Sequence, residues 1–100
     1  MTEYELLLIE EHETKMKMSE LLVSIRESNG IQNPFIVSKE LGQSIATLRN
    51  IEKGISFPTA KTLDELMGLY LITPGERGQL TTLKRKMLEL RKKLKERLEF

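Results

Sequence analysis

Apolar residues recur three and four positions apart along most of this chain, which is the signature of helices that each bury one face. Met18, Leu21, Leu22 and Ile25 follow that spacing, and Asn29-Gly30 closes the run. Gly30 suits a left-handed cap, with Ile31 folding back as its hydrophobic contact. Asn33 then caps a short helix whose first residue is Pro34, a position where the missing N–H does no harm. Val37 and Leu41 lie four apart on its inner side, and Gly42 ends it. Ser44 caps a second short helix with Leu48 and Ile51 inward, ending at Gly54. Pro58-Thr59 precedes a fourth helix carrying Leu63, Leu66, Met67 and Tyr70.

The strongest start signal is Thr73-Pro74-Gly75-Glu76, where Thr73 and Glu76 have capping-box spacing around a first-turn proline. Beyond it Leu80, Leu83, Met87, Leu90 and Leu94 step by three and four, predicting one long C-terminal helix. Thr2 and Glu5 have the same box spacing near the N-terminus. The run Leu6-Leu7-Leu8-Ile9 has no clear period and fits a helix or a short strand, with helix the better fit. The expected class is all-α. It divides into an acidic N-terminal extension (1–15), a helical unit with two short central helices (16–79) and a basic, leucine-striped C-terminal helix (80–100).

Charge sharpens that division. The 100 residues carry a net charge of only +1. Residues 1–14 nevertheless hold five glutamates and no basic residue, whereas residues 80–100 hold eight basic and three acidic ones. Each end therefore suits an interaction surface or a solvated face, and the two ends suit each other. Cysteine is absent, which removes disulfides, thiolate metal sites and cysteine nucleophiles. No apolar run approaches the roughly 20 residues of a membrane helix, and the acidic opening is unlike a signal peptide. A cytoplasmic location is the expectation.

Enzymatic constellations are missing. His12 is the single histidine, so the neighbouring Glu13 has no His-Glu-x-x-His motif to serve, and His12 reads as a surface residue. Glu10 and Glu11 stand among other acids as a solvated face does. Neither a glycine-rich phosphate loop nor a Ser/His/Asp set is present. No catalytic residue, metal or cofactor is expected.

Two short helices across Gly42-Gln43-Ser44 have the form of a helix-turn-helix, which leaves the outer face of the second helix free to enter a major groove about 12 Å wide. The stretch from Ile25 to Glu76 resembles the lambda-repressor/Cro-like (xenobiotic-response-element) helix-turn-helix family. Its most specific piece is Ile51-Glu52-Lys53-Gly54 followed by Pro58, alongside Val37-Ser38, Leu41-Gly42, Ser44 and Thr47-Leu48. The resemblance covers about half the chain. It implies a compact helical bundle of that type and a recognition helix over about Ser44 to Glu52, with Ser44, Ile45, Ala46, Thr47, Arg49 and Asn50 facing DNA. Asn50 suits adenine and Arg49 suits guanine or a phosphate. Ile45 and Ala46 depart from the polar readers many members carry, as do Pro34, where a glutamine is frequent, and one extra residue between Gly30 and Gly42. Asn33 at a helix start and Lys53 and Ser56 in the following loop are the candidate phosphate contacts. Arg26 and Glu52 occupy places that form an internal ion pair in some members, and are expected to pair here.

The leucine stripe of the tail admits two placements. It can dimerise with a second copy, putting two recognition helices about 34 Å apart, or pack within its own chain against the core or Leu6–Ile9. The dimer is the preferred expectation. The expected function is a sequence-specific regulator of the bacterial, phage or plasmid kind, a repressor-type homodimer on an inverted repeat of double-stranded DNA. The alternative is a protein-binding adaptor or antitoxin-like partner using the acidic head or the tail.

Overall fold

The computed structural model describes residues 1–98, and five α-helices account for most of them: α1 (Glu3–Ser28), α2 (Pro34–Leu41), α3 (Ile45–Glu52), α4 (Ala60–Leu69) and α5 (Pro74–Leu98). No strand occurs among the described residues. The long helices α1 and α5 run antiparallel along each other, and α3 packs on α1 beside α2. One core cluster joins Met18, Leu22 and Ile25 of α1 to Val37, Leu48, Ile51, Leu63, Leu66, Tyr70 and Leu80, so every helix contributes. A second small cluster, Leu7 with Leu90 and Leu94, zips the α1–α5 pair towards the chain ends.

The helix boundaries follow from their capping residues. Thr2 accepts from the Glu5 amide while the Glu5 carboxylate receives the Thr2 amide, a complete capping box. At the other end of α1, Gly30 has φ +74°, its N–H donates to the Glu27 carbonyl, and the Ile31 N–H donates back to the Arg26 carbonyl. These are the paired bonds of a Schellman motif, and they fold the half-buried Ile31 onto the core. Asn33, Ser44 and Thr59 each accept a bond from the first turn of the next helix. Thr73 and Glu76 close a second capping box at the start of α5.

Two features differ from the sequence expectation. Residues 1–15 form no separate extension, because α1 runs unbroken for 26 residues from the capping box to Gly30. Its central turns stay inside the bundle through Thr14, which is buried with its hydroxyl donating to the Glu10 carbonyl. The leucine stripe, expected to dimerise, packs within the chain. Leu80 and Met87 are 0% and 1% exposed, Leu90 and Leu94 are buried and Leu83 is half-buried, all on the side of α5 facing the bundle. Among the described residues of the stripe, only Leu83 keeps part of its surface for a second copy. The acidic head and basic tail meet instead, with Arg97 donating to Glu3 and Arg91 3.9 Å from Glu11.

One staple had no visible sequence signal. The Asn29 amide group donates to the Ile25 and Leu71 carbonyls, and its oxygen accepts from the Leu71 amide at 2.8 Å. It thereby joins the end of α1 to the link between α4 and α5. Asn29→Ala is expected to cost about 1–2 kcal/mol, since it removes both ties to Leu71, and thermal melting measures the loss.

Candidate nucleic-acid interface

The two short helices meet at Gly42, whose φ of +66° is the left-handed turn that a side chain would strain. Gln43 anchors the turn from outside: its amide nitrogen reaches the Glu65 carboxylate at 3.3 Å and the Thr62 hydroxyl at 3.5 Å on α4. Val37 of α2 and Leu48 and Ile51 of α3 then fill the core from one side. Helical periodicity turns the opposite side of α3 outward, and Ala46, Thr47, Arg49, Asn50 and the capping residue Lys53 are all exposed there. Ser44 is exposed as well, while Ile45 is half-buried, so its reach towards a partner is reduced.

The side chains differ in what they have left to offer. The Ser44 oxygen accepts from the Thr47 amide and lies 2.7 Å from the Thr47 hydroxyl, so both are partly occupied with capping. The Arg49 guanidinium and the Asn50 amide have no hydrogen-bond partner among the described residues, and each presents a planar pair of groups suited to bidentate bonding. Arg49 and Lys53 also line a cleft of about 340 Å³ with Val23, Pro34 and Glu52, where the start of α2 meets the end of α3.

Of the expected phosphate contacts, Asn33 is exposed and its oxygen is held by the Phe35 amide, while its NH2 has no partner among the described residues. The loop after α3 is more closed than expected. The Gly54 amide donates to the Ile51 carbonyl, and the Ile55 and Ser56 amides both donate to the Asn50 carbonyl. That loop therefore offers the Lys53 ammonium and the Ser56 hydroxyl rather than a nest of amides. Gly54 is the hinge of the loop, with φ +76° and its backbone against Met16 and Ser19 of α1.

Behind the exposed face lies the ion pair. Arg26 Nε donates to Glu52 Oε2 at 2.7 Å, and its Nη1 donates to the Ile31 carbonyl at the same distance. The two side chains are 8% and 15% exposed, so α1 and α3 are tied by a charge pair that water scarcely reaches. Tyr70 is buried beside it. Burial and, to a lesser degree, the Glu52 carboxylate raise its phenol to a pKa of about 12, against an opposing pull from Arg26. The folded state holds that proton where the unfolded chain releases it, so this contribution is full below pH 10 and fades as pH rises towards 12.

Sequence reasoning did not anticipate two surface features. Phe35 and Ile36, at the start of α2, are about half exposed, with Lys39 over the Phe35 ring. Arg91 of α5 stacks over Phe57, which lies in the loop that follows α3. The apolar periodicity that located the helices carries no information on either. Among the described residues no cluster of His, Cys, Asp and Glu has the form of a metal site, and no helix is long and apolar enough to cross a membrane. Comparison with protein-family models, curated proteins and solved structures gave no match to this chain.

Proposed function

We propose that this chain is a lambda-repressor/Cro-like DNA-binding regulator that reads double-stranded DNA with the outer face of α3. The supporting observation is that exposed face. Arg49 and Asn50 stand on it with unoccupied planar donor groups, on a short helix whose other side is fixed by the core and by the Arg26–Glu52 pair. In this reading Asn50 bonds an adenine edge, Arg49 bonds guanine or an adjacent phosphate, and Ala46 contacts a thymine methyl. Lys53, Ser56 and Asn33 hold the backbone on either side. The regulator works in the cytoplasm as a homodimer on an inverted repeat, through a surface other than the buried leucine stripe.

The test is a gel shift against the DNA flanking its own gene. Arg49→Ala and Asn50→Ala are each expected to weaken the specific complex by about 1–3 kcal/mol, roughly 5- to 150-fold, while non-specific binding falls far less. Equal shifts on all sequences, or a specific shift that survives both changes, favour an adaptor instead. The adaptor reading has its own support in Leu6, Leu8 and Ile9, which are exposed apolar side chains on the acidic half of α1.

A further inference from the structure

The stripe that packs α5 on α1 leaves the rest of that helix outward, and its charges there are sorted. At 100° per residue, Arg77, Lys84, Arg85, Arg91, Lys92 and Lys95 fall within about a third of the circumference, and no acid lies among them. Five of the six are exposed and Lys84 is half-buried. Glu89 and Glu96 run along one edge of this face, and neither forms an ion pair with it among the described residues. Lys84, Arg85 and Lys92 likewise have no carboxylate within ion-pair distance there, although α1 supplies many acids to the same helix pair. The face extends about 27 Å along the axis at 1.5 Å per residue.

Its position gives it a use. Arg91 sits over Phe57 at 5.7 Å, so one flank of the face abuts the loop that carries Lys53 and Ser56 away from α3. We infer that the outer face of α5 is a second track for the phosphate backbone of double-stranded DNA, continuing the contacts made beside α3. This rests on the DNA-binding reading of α3 and extends it: α3 reads bases, and α5 adds a sequence-independent grip on a longer stretch of duplex. A membrane surface suits the face poorly. An interfacial helix needs a broad free apolar side, and that side of α5 is already buried, leaving Leu88 as the one exposed large apolar residue among the described side chains of the helix.

The test uses the full chain carrying Lys84→Gln, Arg85→Gln and Lys92→Gln together, surface changes expected to leave circular dichroism and melting unaltered. Affinity for a 40-base-pair duplex of random sequence is measured by fluorescence anisotropy from about 50 to 200 mM salt. Each lost phosphate contact lowers the log–log slope by about 0.9, so the wild-type affinity should fall roughly 40-fold more over that range than the variant's. Arg49→Ala with Asn50→Ala, measured in parallel, should keep most of the slope on this duplex while abolishing sequence preference in the gel shift.

An unchanged slope in the triple variant overturns the α5 track and leaves the α3 reading standing. Failure of the wild-type chain to bind any duplex overturns both. Two other results also overturn it. One is binding to phosphatidylserine vesicles in place of duplex. The other is concentration-dependent self-association that the triple variant abolishes while the duplex slope stays the same.

Discussion

Glu52→Ala should lower the stability of the fold by about 3–5 kcal/mol, more than any change on the exposed face of α3. The reason is the charge left behind. Arg26 is anchored by its second bond to the Ile31 carbonyl and lies at the junction of α1 with α3. Without Glu52 it keeps a buried positive charge facing a void. A chain of this size loses about 4–8 °C of Tm per kcal/mol, so the melting curve should move by more than about 12 °C. The pair need not be worth that much against apolar substitutes. Arg26→Met with Glu52→Leu should recover most of the loss, because desolvation of two charges offsets much of their attraction. If Glu52→Ala melts like the wild type, the pair is not what locks α3 to α1.

Leu80→Ala is expected to cost about 2–5 kcal/mol, and Leu88→Ala on the same helix within about 0.5 kcal/mol of nothing. The two leucines have equal helix propensity and differ in burial: Leu80 is 0% exposed in the main core, and Leu88 is 61% exposed. Urea denaturation reads both. Equal losses would contradict the docking of α5 by this stripe. The same experiment separates intramolecular packing from dimerisation through these leucines, since a dimeric core gives a midpoint that rises with protein concentration. No such rise is expected from the stripe.

Much of the architecture is legible in the amino-acid pattern, for identifiable reasons. Caps are local: Thr2, Asn33, Ser44, Thr59 and Thr73 each act within three residues, so spacing alone reveals them. Gly30, Gly42 and Gly54 all adopt positive φ, as turn positions marked by glycine should. The destination of the leucine stripe was not legible, because the same spacing serves a partner helix from either source. What decided it is α1, whose apolar run Leu6–Ile9 has no clean period yet places Leu7 against Leu90 and Leu94. On the candidate reading face the sequence supplied the exposed Arg49 and Asn50. It did not foresee that the amides of Gly54, Ile55 and Ser56 are taken by carbonyls of α3, since backbone partners leave no trace in side-chain pattern. The Arg91–Phe57 stack is similarly invisible, joining residues far apart in the chain.

The pairing of α1 with α5 also sets an order of events in the cell. Leu7 and Met18 are made well before Leu80, Met87, Leu90 and Leu94. At about 5–20 residues per second, the apolar side of α1 spends seconds without its cover. During that interval α2 and α3 are already available to shield Leu22 and Ile25, whereas Leu7 has no early partner. The apolar surface around Leu7 thus waits longest for its partner, and the five glutamates of residues 1–14 set like charges against a second nascent chain there.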